Sequence, residues 1–147
     1  MPRPCKRIVS ARTKARKAAF DALYESEQRG RTLNQALIDF DTRQGAKLQS
    51  LTEADFVRSI LAGLDTNGSA IDAVISASLT GWTLARLYPV DRAILRISIW
   101  ELTYTDTPPD VIRSEALALA AEYGSDDAVN FIGGILGAVT RKTVNKD

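Results

Sequence analysis

Apolar side chains recur every three or four residues along almost the whole chain, and no stretch alternates apolar and polar positions as a strand would. The pattern predicts an all-α fold. One segment stands apart. From Pro89 to Leu102, Ile94, Leu95, Ile97, Ile99, Trp100 and Leu102 put apolar groups nearly all the way round a helix. Such a helix belongs inside, covered by others. Asp91, Arg92, Arg96 and Glu101 are its exceptions, and each must reach the surface or find a partner. Pro89 suits the first turn, where its missing N–H has no intrahelical acceptor to satisfy.

The flanking segments read as amphipathic helices. Ser10 is an N-cap for a helix to about Arg29, with Ala15, Ala19, Ala22, Leu23 and Ser26 at helical spacing and Gly30 as its stop. Thr32 caps a second helix carrying Leu33, Ala36, Leu37 and Phe40, followed by a polar link from Asp41 to Ser50. Thr52-Glu53-Ala54-Asp55 has the form of a helix start. The apolar stripe from Phe56 to Leu79 then reads as one bent helix or two, with Asn67-Gly68 as the break. Trp82–Leu87 predicts a short helical turn that feeds the central segment. Beyond it come a Thr107–Asp110 turn, a helix to Tyr123 closed by Gly124, and a last helix capped by Ser125-Asp126-Asp127. About seven helices result, in two subdomains around a central buried one. Residues 1–9 form a flexible basic arm, 10–142 a single domain and 143–147 a tail.

A length of 147 residues suits one domain, and 45% apolar with 25% charged residues is ordinary globular composition. No run reaches the length of a membrane span, and one cysteine, Cys5, forms no internal disulfide; both fit a cytoplasmic setting. The absence of histidine excludes histidine-based catalysis and the usual zinc sites. No phosphate-cradling glycine motif and no acid/base pair of carboxylates is present, so neither an enzyme nor a cofactor is expected. The charge distribution changes the picture more. Arg3, Lys6, Arg7, Arg12, Lys14, Arg16 and Lys17 crowd residues 1–17 with no acid among them, while the other 130 residues carry 12 basic and 18 acidic side chains. A basic arm and helix start on an acidic body point to an anionic partner at one end. Cations are locally unfavourable at a helix N-terminus, so several placed there imply a use beyond helix stability. Phosphates of single-stranded RNA fit, with Tyr24, Trp82, Tyr88, Tyr104 and Phe131 as candidate stacking rings.

Four segments in order carry a resemblance: Ala15–Tyr24, Val90–Leu102, Pro109–Ala116 and Phe131–Leu136. Together they resemble the NusB transcription antitermination family over roughly residues 10–140. The resemblance implies a NusB-like helical bundle without catalytic activity. It further implies an RNA-binding adaptor that, with the small-subunit ribosomal protein NusE, binds the boxA element of ribosomal RNA leaders. The pair joins other Nus factors on RNA polymerase in an antitermination complex that aids rRNA transcription and maturation. By position, Arg12, Lys14, Arg16 and Lys17 would contact RNA, with Asp127 and Phe131 near it and Arg92 and Arg96 bordering it. Tyr24 and Asp91 would face NusE. The chain departs from the family pattern at Gly133, where asparagine is usual, at Gly137 in place of aspartate, and at Ser114 of Ser114-Glu115-Ala116 in place of asparagine. Homodimerisation is compatible with the family.

Other readings are a stand-alone helical protein-binding scaffold and a non-specific RNA-binding module. The NusB-like domain of rRNA cytosine methyltransferases would need a catalytic domain after it, and this chain stops at Asp147.

Overall fold

The computed structural model describes residues 10–43 and 51–144. The basic arm with Cys5, most of the Asp41–Ser50 link and the end of the tail lie outside the described residues. Within them are six α-helices, one 3-10 turn and no strand. The helices are α1 (Ala11–Gln28), α2 (Leu33–Arg43), α3 (Leu51–Ser78), α4 (Pro89–Tyr104), α5 (Pro109–Tyr123) and α6 (Ala128–Val144), with the 3-10 turn at Leu84–Arg86.

Local chemistry sets most boundaries where the sequence places them. Ser10 caps α1 by accepting from the Thr13 amide, and Gly30 beyond its end adopts a φ of 66°, which side-chain-bearing residues resist. Thr32 and Gln35 exchange hydrogen bonds of 3.1 and 2.9 Å between side chains and amides, a complete capping box for α2. Pro89 and Pro109 each open a helix at its first turn, so α5 begins inside the segment expected as a turn. Of the two readings left open at Asn67-Gly68, the single helix is the one found: α3 runs for 28 residues. Ile60, Leu61, Leu64, Ile71 and Ile75 are all buried, and that continuous stripe outweighs the weak helix propensity of one Asn-Gly pair.

The helices α1–α3 pack on one another, as do α4–α6, and α4 lies against α1, α3, α5 and α6. Ile94, Leu95 and Ile99 have no exposed surface. The α3–α4 crossing is close because Gly63 sits beneath the Trp100 indole, where an added Cβ would overlap the ring. Phe56 meets the other side of Trp100 edge-on at 6.3 Å.

Side-chain pairs fix the direction of α1 along α4. Arg12 donates to Thr107, Arg16 pairs with Glu101, and Glu27 pairs with Arg92 and Arg96. The two helices are therefore antiparallel. The basic start of α1 lies at the C-terminal end of α4, and the C-terminal part of α1 lies at its N-terminal end. Replacing Ile94 with aspartate puts an unpaired charge in this core, with an expected loss of roughly 4 kcal/mol or more. Circular dichroism checks this; a soluble variant of full helical content would show that α4 is not the buried strut.

Candidate nucleic-acid and protein interface

Arg12, Lys14 and Lys17 are exposed on the first turns of α1. Arg12 is held in place from below, its guanidinium 4.6 Å from the Phe56 ring centre and its Nη1 3.3 Å from the Thr107 hydroxyl. Lys17 lies 5.6 Å from the Tyr123 ring and 3.8 Å from Glu122. The Tyr123 hydroxyl, followed by Glu122, raises the Lys17 pKa above the usual lysine value, so its charge is secure at neutral pH. Lys14 has no carboxylate partner among the described residues. A groove between α1 and α5, lined by Thr13, Lys14, Arg16, Lys17, Glu115, Ala118, Leu119 and Glu122, opens beside these cations.

Arg16 departs from expectation. Only 3% of the residue is exposed. Its Nε and Nη2 donate to Glu101 at 2.8 and 2.6 Å, and Nη1 lies 3.5 Å from Glu115. Thr13 donates to the same Glu115 at 2.7 Å. Arg16 is thus spent on carboxylates inside the fold, and the cations left facing solvent are Arg12, Lys14 and Lys17. A signal for this was present in the sequence: Arg16 precedes Phe20 by four residues and Leu23 by seven, on the buried face of α1. Glu101 likewise follows Ile94 by seven and Ile97 by four.

Arg96 is also engaged by carboxylates. It donates to Asp72 at 2.9 and 3.1 Å and lies 3.7 Å from Glu27, in a hollow between α1, α3 and α4. Arg92 pairs with Glu27 and donates to the carbonyls of Leu84 and Leu87, tying the 3-10 turn to α4. Both arginines hold helices together.

A second concentration of chemistry lies at the opposite end of α4. Asp91, Asp127 and Phe131 come together in a cleft of about 430 Å³ that is also walled by Trp82, Arg86 and Tyr88. Trp82 and Tyr88 are 60% and 69% exposed, unusual for rings of that size in a helical bundle. Asp91 is only 5% exposed yet has no hydrogen-bond or ion-pair partner among the described residues. Burial raises its carboxyl pKa, while its place in the first turn of α4 lets the helix dipole favour the anion. A sequestered carboxylate rimmed by aromatic rings is suited to a cationic side chain brought by another molecule. Tyr24 is exposed farther along α1, outside this cleft, with its ring 6.1 Å from Phe20, which in turn contacts Tyr123 at 5.2 Å. The sequence grouped Asp127 and Phe131 with the cations of α1, whereas they lie with Asp91, and it did not single out Arg86.

The NusB family's sequence model matches residues 13–141. The chain belongs to the NusB family. It is 38% identical over 134 residues to the transcription antitermination protein NusB of Nocardioides sp. (strain ATCC BAA-499 / JS614), covering 90% of this chain and 96% of that one. Identity to the NusB protein of Leifsonia xyli subsp. xyli is 40%, covering 90% and 93%. The fold superposes on T. maritima NusB with a TM-score of 0.81 at 31% identity, covering 96% and 93% of the two chains. It also matches the NusB of a crystal structure of NusB and NusE with double-stranded RNA, at a TM-score of 0.79 and 22% identity, covering 90% and 97%. That last likeness speaks for the fold. No described helix is long and apolar enough to cross a membrane, and no cluster of metal-ligating residues occurs among the described residues.

Asp91→Asn separates binding from stability. The raised pKa means that the folded state holds this proton more tightly than the unfolded chain does. Wild-type stability from this group is therefore full at low pH and is lost as pH rises through the folded-state pKa. The amide variant is expected to melt higher than wild type at pH 7, with the difference shrinking as pH falls through the carboxylate range. A lower melting temperature at pH 7 would mean that Asp91 has an internal partner.

Proposed function

We propose that this chain is a transcription antitermination adaptor of the cytoplasm. With the ribosomal protein NusE it binds boxA RNA of rRNA leaders and joins Nus factors and RNA polymerase; it does no chemistry of its own. The observation that carries the reading is the division of labour along α4 within a NusB fold. Cations without buried duties stand at one end, and an unpartnered carboxylate in an aromatic cleft stands at the other.

Residues 10–142 act as one RNA-binding unit. Arg12, Lys14 and Lys17 hold phosphates, with Arg12 preorganised on Phe56, and the strand follows the α1–α5 groove toward Phe131 and Asp127. The 16 residues of α4 measure about 24 Å at 1.5 Å per residue, so a strand of several nucleotides links the two ends. Tyr24 and Asp91 receive NusE, which would then sit beside the RNA at Phe131. This adjacency explains mutual reinforcement of the two ligands without a conformational change.

Three outcomes test this reading. A boxA-containing RNA is expected to bind more tightly than a scrambled control, with the preference sharpening when NusE is added; equal binding to both RNAs in all conditions would reduce the helix start to a non-specific phosphate clamp. Arg12→Met or Lys14→Met should flatten the dependence of log affinity on log salt by about 0.7, the share of one phosphate on a single strand. Tyr24→Asp is expected to weaken NusE binding at least tenfold while changing RNA binding by the free chain less than twofold, as titration calorimetry can measure; the reverse order would exchange the two surfaces.

A further inference from the structure

We infer that Arg16 is a positioning residue for the RNA-binding helix start and not an RNA ligand. The inference rests on the proposed binding of RNA by the first turns of α1.

Four side chains join three helices at this point. Arg16 of α1 makes a two-pronged bond to Glu101 of α4, and its third nitrogen faces Glu115 of α5. Thr13, one turn earlier, donates to Glu115 as well. A planar guanidinium gripping a carboxylate through two parallel N–H bonds fixes direction as well as distance. With Glu101 only 1% exposed, the anchor cannot swing out without leaving a carboxylate unpaired in the core.

The consequence is rotational. Successive residues turn by about 100° around a helix. With Arg16 aimed inward, Arg12 falls about 40° to one side, over Phe56. Lys17 falls about 100° to the other side, against Tyr123, and Lys14 lies about 160° away, facing solvent. Each observed placement agrees. The Arg16–Glu101 fork therefore sets the azimuth at which the three exposed cations meet a phosphate chain. A lysine in its place would keep the charge but lose the fork.

Glu101→Gln gives the decisive reading, because the two roles predict opposite signs. If Arg16 positions the helix, this near-isosteric change, which disrupts the fork at a residue sealed from RNA, weakens single-stranded RNA binding by about fivefold to tenfold. Helical circular dichroism and the salt slope should stay as in wild type. If Arg16 is a phosphate ligand, releasing it from its carboxylate leaves affinity unchanged or raises it, and the inference is overturned. Arg16→Gln is expected to lower affinity without flattening the salt slope; a flattening equal to that of Arg12→Met would also overturn it. Arg16→Lys guards against a folding defect: it should stay helical, keep the wild-type slope and recover only part of the affinity, whereas full wild-type affinity would show that the fork does no positioning. RNA binding that Arg12→Met leaves untouched would instead remove the functional reading itself, and this inference with it.

Discussion

A helix buried on nearly every side cannot carry charges freely, and the organisation of this molecule follows from how the charges of α4 are answered. Arg92 and Arg96 are met by Glu27 of α1, with Asp72 of α3 added at Arg96, and Glu101 is met by Arg16 of α1. Because leaving any of these groups unpaired in the interior is costly, the pairs fix the register of α1 and α3 on α4 more sharply than apolar contact can, since apolar packing tolerates sliding. The fourth charge, Asp91, is the exception. It is buried among aromatic rings with no internal answer among the described residues, and the cleft around it is open to solvent.

Antiparallel packing of α1 on α4 then gives the molecule two chemically different ends. The cation-bearing turns of α1 lie beside Thr107, just past the end of α4, and Glu27 near the end of α1 lies beside Arg92 in the first turns of α4. The turn joining α5 to α6 delivers Ser125, Asp127 and Phe131 to that second end. An RNA strand and a protein partner can thus occupy separate surfaces and still touch. An adaptor needs this arrangement, because each ligand must gain from the other without displacing it.

Much of this was legible in the chain. The all-α class and the buried strut follow from periodicity, and the caps at Ser10 and Thr32 from local chemistry. The asymmetric charge marked the start of α1 as its most basic part, and Arg12, Lys14 and Lys17 are exposed there. What periodicity could not deliver was the fate of individual charges. Arg16 sits in a run of cations and reads as one of them, although its spacing from Phe20 and Leu23 places it on the inward face. Its partner Glu101 is 85 residues away, and no local pattern pairs residues at that distance. The pairing of Arg96 was hidden for the same reason, since its partner Asp72 lies on another helix. Asn67-Gly68 left one helix or two undecided from local signals, and tertiary burial along α3 decides for one. The cleft at Asp91 was named residue by residue but not as a cleft, because its walls come from the 3-10 turn, α4 and α6.

The most direct test of two separate ends is amide hydrogen exchange on the free chain, on the chain with boxA RNA, and on the chain with NusE. RNA alone is expected to slow exchange in the first turns of α1, around Arg12–Lys17, and along the facing side of α5. NusE alone should slow it around Tyr24 and from Trp82 to Asp91. Protection of Arg12–Lys17 by NusE alone, or RNA protection confined to the Asp91 cleft with α1 unaffected, would contradict the account.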